Sequence, residues 1–304
     1  MNRLKASIDL GTNTARLLIG SECDGRVVRS HITRRITRLG GGFSKETGIS
    51  PEAAARTVGA LKDFAAALKE FQVTQLRAVA TSAVRDAVNR DEFCREVKTE
   101  TGIQLEVISG EEEGRLTLLG VRSGLDVIAD TMLVFDVGGG STEYTVAQSD
   151  RILFTKSLPL GVVRLTEGKG SSAAIADKIA RELKLLLEEM DSNGVAPLCN
   201  NATLIATAGT ATTLAAIDIG LVDYDYSKVN NHLLEISNIR NIFSRLACLT
   251  PKERLQQIIG LEEGREDLII AGTLLTLKSM EIFGSTTLKV SDFGLLEGVL
   301  LSLQ

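Results

Sequence analysis

Two stretches of the chain share one pattern of apolar and polar positions. Residues 7–20, "SIDLGTNTARLLIG", run apolar to an aspartate, break at a glycine and small polar residues, then resume in alternation. Residues 133–146, "LVFDVGGGSTEYTV", repeat this around three consecutive glycines. Alternation with a period of two around a short polar break predicts strand, tight turn, strand. In "EYTVA", Tyr144 and Val146 face one side of the sheet while Glu143, Thr145 and Ala147 face the other. Placing Asp9 on Asp136 sets Gly11 on Gly138, Asn13 on Gly140 and Thr14 on Ser141, an internal repeat.

The rest of the pattern fills out two similar halves. Residues 25–39 alternate as a third strand, and 40–50 form a loop. Ser50 is placed as N-cap and Pro51 as first helical residue of a helix reaching about Phe71. "QLRAVATSAVRDA" predicts a strand to about Thr81 that turns into a helix, and strand 104–108 enters a helix beginning at Ser109. The second half gives strands near 132–137, 142–148 and 152–158, helix 173–190, strand 203–207 and helix 210–218. Helix 265–283, strand 286–290 and helix 293–303 follow. The expected boundary falls near Gly124 to Asp130, giving domains 1–125 and 126–304, with the last helix able to pack back on the first. The expected fold is α/β, two duplicated domains facing each other across a central cleft.

Composition narrows the function. Without tryptophan and with 4% aromatic residues, stacking on nucleobases is not a theme, and a net charge of −5 speaks against a general nucleic-acid binder. Cys23, Cys94, Cys199 and Cys248 lack paired spacing, and with only His31 and His232 a histidine metal cluster is nearly excluded. The start "MNRLKASIDLG" meets an aspartate and a glycine before a signal core can form, and no run of about eighteen apolar residues occurs. A soluble cytoplasmic protein is expected.

Three adjacent glycines cost backbone entropy in an ordered segment. Gly138, Gly139 and Gly140 make either a flexible hairpin turn or a loop whose bare backbone approaches a charged group. A P-loop needs Gly-Lys-Ser/Thr opening a helix, which the sequence lacks, and a dinucleotide fingerprint also enters a helix, whereas these turns enter strands. Asp9, Asp136 and Glu143 are hard-oxygen ligands suited to magnesium, which keeps several waters and needs few carboxylates.

"VISGEEEGRLTLLGV" offers three glutamates. Ser109 followed by Glu112 predicts a capping box, so Glu112 folds back on the helix start. Glu113 shares a face with Leu116 and Gly120, toward the interior or a cleft, and Glu111 is solvated. A fixed carboxylate there can orient or deprotonate water, or the three can simply form a solvated helix start. Arg85, in the first helical turn after Thr81 and Ser82, can grip a phosphate or form an ion pair with Asp86 or Glu92. Arg26, Arg29, Arg34, Arg35 and Arg38 crowd one strand and its exit. "TLIATAGTATTLAAI" (203–217) adds a strand, a Gly209–Thr210 turn and a helix, usable for phosphate or plain packing. Arg16 follows the first turn and Arg265 opens a helix; both are expected to reach the cleft toward distal phosphates, or to form rim salt bridges.

Five motifs in this order resemble the exopolyphosphatase / guanosine pentaphosphate phosphatase (Ppx/GppA) family: "DLGTNTARLLI", "AVATSAVRDAVN", "VISGEEEGRLTLLGV", "FDVGGGSTEYTV" and "ATAGTATTLAAI". "SLPLGVVRLTE" and "VSDFGLLEGVLL" extend the resemblance to nearly the whole chain. It implies duplicated actin-like (ribonuclease H-like) domains, in a short two-domain form without the further helical domains of long members. The implied activity is hydrolysis of terminal phosphate from inorganic polyphosphate with Mg2+ or Mn2+. The alternatives are the 5′-phosphohydrolysis of guanosine pentaphosphate, a superfamily kinase or ATPase, and a non-catalytic alarmone or polyphosphate sensor. The resemblance implies Glu113 as general base and Asp136 and Glu143 at metal and water positions; Asp9 is expected as third metal partner, or its hairpin serves phosphate alone. The resemblance also puts Asn13, Thr14, Arg85, Gly139, Gly140 and Ser141 on phosphate, and Thr12 and Gly138 are expected beside them in the same turns; Arg16, Gly209, Thr210 and Arg265 are expected, by their places in the chain, to reach a guanosine tetra- or pentaphosphate. A homodimer is expected, with no nucleic-acid or membrane partner. Leu296 stands where relatives often carry arginine.

Overall fold

Alternating apolar residues on either side of the first turn build the start of a sheet. The computed structural model describes residues 4–44, 46–168 and 171–303, so the outermost residues of both expected domains lie outside it. The chain divides into two compact units, Met1–Gly124 with Phe293–Gln304, and Leu125–Asp292.

The first unit contains β1 (Lys5–Leu10), β2 (Thr14–Cys23), β3 (Arg26–Ile36), α1 (Pro51–Glu70), β4 (Gln75–Ala80), α2 (Ser82–Arg85), α3 (Arg90–Thr101), β5 (Leu105–Val107) and α4 (Gly110–Gly124). The second contains β6 (Thr131–Val137), β7 (Thr142–Gln148), β8 (Arg151–Leu158), α5 (Val162–Gly168), α6 (Ser172–Ser192), α7 (Ala196–Cys199), β9 (Thr203–Thr207), α8 (Ala208–Ile219) and α9 (Tyr226–Val229). It continues with β10 (Leu233–Glu235), α10 (Ile236–Ala247), α11 (Pro251–Gln257), α12 (Ile269–Ile282) and β11 (Thr287–Val290). The last helix, α13 (Leu295–Leu301), belongs to the first unit.

The two sheets repeat one plan. The first has the order β3-β2-β1-β4-β5, an antiparallel meander continued by parallel strands. The second has the order β10-β11-β9-β6-β7-β8, with the same meander and parallel pairs and β10 added antiparallel at one edge. This is the duplicated α/β, ribonuclease H-like arrangement that the resemblance implies. Among the described residues no helix is long and apolar enough to cross a membrane.

Both faces of the first sheet are covered. Ile8, Leu10, Leu17 and Ile19 pack with Leu61 and Phe64 of α1 and Phe93 and Val97 of α3. Leu18 packs with Phe293, Leu296 and Leu300. Leu116 of α4 joins Val79, Ile108, Leu295 and Val299. α4 and α13 touch backbone to backbone, because a Cβ at Gly120 would overlap the Gly294 carbonyl and one at Gly298 the Leu116 carbonyl. Glu297 caps α13 by accepting from Gly294 N at 2.8 Å, and its other oxygen accepts from Arg29 Nη2 at 2.8 Å. Arg29 also lies 3.9 Å over the Phe293 ring. Ser7 Oγ of β1 donates to the Leu296 carbonyl at 2.7 Å. In the second unit, Phe135 and Tyr144 stack at 5.7 Å within a core shared with Ile179 and Leu183 of α6 and Leu275 of α12.

Several elements depart from expectation. Helix 265–283 starts only at Ile269, because Gly264 takes φ 80° and Leu268 N turns back to the Arg265 carbonyl. Arg265 therefore precedes α12 instead of opening it. The sequence pattern assigns no helix at α3, α5, α7, α9, α10 or α11; α3 buries only Phe93 and Val97 of its twelve residues, too few for a helical stripe.

Candidate active site

The first hairpin turn, between β1 and β2, closes with Gly11 N donating to Thr14 O at 2.9 Å. Its carbonyls are taken from behind. Thr37 N and Arg38 N donate to Asn13 O at 3.0 and 2.9 Å, and Gly40 N donates to Thr12 O at 2.8 Å. Arg56 holds that donor loop through the carbonyls of Thr37 and Arg38 at 3.1 and 3.3 Å. Among the described residues the amides of Thr12 and Asn13 meet no protein acceptor, and the buried Thr12 Oγ1 has no partner.

The second turn, between β6 and β7, is built the same way. Gly138 N donates to Ser141 O at 3.0 Å. The start of α5 then takes the carbonyls: Val162 N to Gly138 O at 3.0 Å, and Val163 N and Arg164 N to Gly139 O at 2.9 and 3.3 Å. Gly161 permits this seating, since a Cβ there would overlap Gly139 and Gly140. The amides of Gly139 and Gly140 again meet no acceptor among the described residues. Successive amides presented in this way form a concavity that suits an anion.

Acids flank both turns. Asp136 and Glu143 stand directly opposite each other in the β6–β7 register and are 7% and 2% exposed. Glu143 Oε1 accepts from Ser141 Oγ and Ser157 Oγ, each at 2.7 Å. Ser157 is opposite Glu143 in the β7–β8 register, a neighbour readable only once that register is known. Two buried carboxylates side by side repel unless a cation or proton intervenes, and their oxygens suit a hard divalent ion. The pair therefore fits magnesium or manganese. Asp9 is different: Arg16 Nη2 and Nε donate to its Oδ2 at 2.6 and 3.0 Å. Among the described residues no three acidic, histidine or cysteine side chains cluster as metal ligands.

Glu113 and Arg85 meet in the first unit. Arg85 Nη1 donates to Glu113 Oε2 at 2.9 Å and to the Ile108 carbonyl at 3.1 Å. Glu113 is 6% exposed while Glu111 is exposed. The capping box is only half formed. Glu112 N donates to Ser109 Oγ at 3.2 Å, but the Glu112 carboxylate turns to Arg115 at 2.7 and 2.8 Å and to Arg77 at 3.4 Å. Two arginines outcompete the backbone amide for it, and the Arg115 bond, with Arg77, holds this carboxyl below the usual carboxylate range. Ser82, one helical turn before Arg85, is 2% exposed with no partner for its hydroxyl among the described residues. It was not among the expected site residues; its place beside Arg85 was the available signal.

Gly209 and Arg265 are also neighbours. A Cβ at Gly209 would overlap the Arg265 guanidinium, whose Nε donates to Glu262 Oε2 at 2.8 Å. Thr210 packs on Gly272, where a Cβ would lie 2.5 Å from Thr210 Oγ1. Ala208, just before them, has φ 64°, a left-handed conformation that alanine disfavours.

The molecule so far is a duplicated α/β protein with an acid-flanked backbone turn in each unit. The Ppx/GppA phosphatase family matches residues 22–304, and the chain belongs to that family. It is similar to exopolyphosphatase 2 of Mycobacterium tuberculosis, 33% identical over 313 residues that cover 98% of each chain. It is also similar to a bifunctional 3-dehydroquinate synthase/phosphatase of Fusobacterium nucleatum subsp. nucleatum, 32% identical over 99% of this chain but 46% of that protein. The chain thus spans about half the length of that relative. Among solved structures, an exopolyphosphatase from Cytophaga hutchinsonii superimposes with a TM-score of 0.89 at 27% identity, covering 99% of this chain and 97% of that one.

Proposed function

We propose that this protein is an exopolyphosphatase that hydrolyses the terminal phosphoanhydride bond of inorganic polyphosphate with the aid of a divalent metal. The observation that carries the reading is the repeated turn, with carbonyls occupied from behind and the amides of Thr12, Asn13, Gly139 and Gly140 left to an anion. Phosphoryl transfer depends mainly on positioning and charge neutralisation, which such turns supply. The exopolyphosphatase names of the M. tuberculosis and C. hutchinsonii relatives support the same reading.

In this reading Thr12, Asn13, Thr14 and Gly138 to Ser141 hold phosphate oxygens. Arg85 fixes the Glu113 carboxylate, which accepts a proton from the attacking water, and its positive charge attracts phosphate. Asp136 and Glu143 hold magnesium or manganese, with Ser141 and Ser157 orienting Glu143. The metal, when bound, neutralises charge on the phosphate oxygens. Asp9, already engaged by Arg16, serves the first turn by placing that arginine.

The seating of Arg265 on Gly209 supports a second reading, 5′-phosphohydrolysis of guanosine pentaphosphate, with Thr210 and Arg16 on its phosphates. Phosphate release from purified protein, measured in parallel on polyphosphate, guanosine pentaphosphate and ATP, decides between them. Release from polyphosphate is expected to be fastest. Release from guanosine pentaphosphate alone would favour the second reading, release from ATP alone would point to a superfamily ATPase, and release from none would leave a sensor.

A further inference from the structure

The two sheets repeat a pair of facing residues, and the copies differ in charge. In the first unit Asp9 lies opposite Arg16 in the β1–β2 register, and in the second Asp136 lies opposite Glu143 in the β6–β7 register. The alignment that sets Asp9 on Asp136 also sets Arg16 on Glu143. The first copy answers its acid with a cation of the chain, at 2.6 Å. The second answers it with another acid, and that row needs a cation from outside.

The second row continues onto β8, where Ser157 lies opposite Glu143. Asp136 and Ser157 therefore flank Glu143 from its two neighbouring strands, on one face of the sheet. Ser157 Oγ donates to Glu143 Oε1 at 2.7 Å. Ser141, two residues back and so on the same face, donates through Oγ to the same oxygen at 2.7 Å. A carboxylate oxygen has two lone pairs, and two hydroxyl donors fill both on Oε1. Ser157 also draws that oxygen toward β8, the side away from Asp136.

How many oxygens a carboxylate offers bears on the choice of ion. Calcium gathers about six to eight oxygens in flexible geometry and can take both from one carboxylate, whereas magnesium demands an octahedron and keeps several waters. A calcium ion that took Oε1 as well would displace one of two charge-assisted hydrogen bonds at a residue only 2% exposed. We propose that Ser157, with Ser141, selects the ion: the two hydroxyls hold Glu143 to a single metal-binding oxygen, Oε2, and so bias the site toward magnesium or manganese and against calcium. The inference rests on the reading above that Asp136 and Glu143 hold a divalent metal. It adds the residue that decides which one. Ser157 acts through Glu143 and is a positioning residue.

The test titrates the purified protein with manganese, magnesium and calcium, without substrate. Manganese binding is followed by electron paramagnetic resonance, and the other two ions by their displacement of manganese. Ser157→Ala removes one donor and opens a lone pair on Oε1. It should raise the affinity for calcium relative to magnesium roughly tenfold, the worth of about one charge-assisted hydrogen bond. Ser157→Thr keeps the hydroxyl on a residue suited to strands and should restore the wild-type ratio. Glu143→Gln should abolish manganese binding, which ties the signal to this site. An unchanged ratio in Ser157→Ala would overturn the inference while leaving Asp136 and Glu143 as ligands, and so would an equal shift in Ser157→Thr. If the wild type binds no manganese, or Glu143→Gln binds it equally well, the metal assignment itself fails and the inference falls with it.

Discussion

Glu112 and Glu113 are adjacent in sequence and opposite in surroundings. Glu113 is buried against Arg85, whereas Glu112 lies in a partly exposed ion pair with Arg115. Glu113→Gln keeps the size of the side chain but loses the proton acceptor, and turnover is expected to fall by about two orders of magnitude or more with little change in KM. Glu112→Gln should cost less than about 1 kcal/mol of stability and leave turnover intact, as partly exposed ion pairs contribute little. Steady-state kinetics on both variants checks the pair, and an essential Glu112 would reverse the assignment. Ala208→Gly is expected to stabilise the protein by about 0.5–1 kcal/mol, because glycine takes φ 64° without the penalty alanine carries. The melting temperature should rise by about 2 °C; a fall would mean that the alanine methyl has a packing role. The sequence announces the turn at Gly138 to Gly140 because glycines mark it, but hides the left-handed residue at Ala208 because alanine reads as a helix former. Ser157 and Gly161 escape notice for another reason: their roles depend on strand register and on contacts between separate segments.

At the scale of elements, what was legible follows periodicity. The meanders β1–β2–β3 and β6–β7–β8 were readable because apolar alternation brackets short polar breaks, and α1 because Ser50 and Pro51 mark its start; Ser50 Oγ does accept from Ala53 N at 3.2 Å. α5 was not: it is seven residues long, and its first amides are spent on the glycine turn, a contact that no local pattern encodes. α10 does carry a helical stripe, Ile239, Ile242 and Leu246, in a stretch that lacks any chemical motif to draw the eye. The α5 contact gives a sharp expectation. Gly161→Ala would push a methyl into the Gly139–Gly140 backbone and so displace the amides the turn presents. Overpacking of this kind costs about 1–3 kcal/mol. The protein should still fold, but KM for polyphosphate should rise at least as much as stability falls. Unchanged KM in a folded variant would dissociate the turn from substrate binding.

At the scale of the whole molecule, the residues proposed above belong to separate units: Glu113 and Arg85 to the first, Asp136 and Glu143 to the second. The metal assignment rests on the second unit alone. Activity is expected to vanish in chelator and return with excess magnesium, while Asp136→Ala should stay inactive at every magnesium concentration tried. Full activity in chelator would refute the assignment of Asp136 and Glu143 as ligands. The division of the chain also bears on how the protein is made. Gly120 and Leu116 of α4 wait for Gly298 and Gly294, more than 170 positions later by the numbering, before their side of the first unit is closed. A ribosome therefore delivers all of the second unit before the first can finish its core. The nascent first unit must persist with Leu18, Val79 and Leu116 uncovered, a surface on which a chaperone can act.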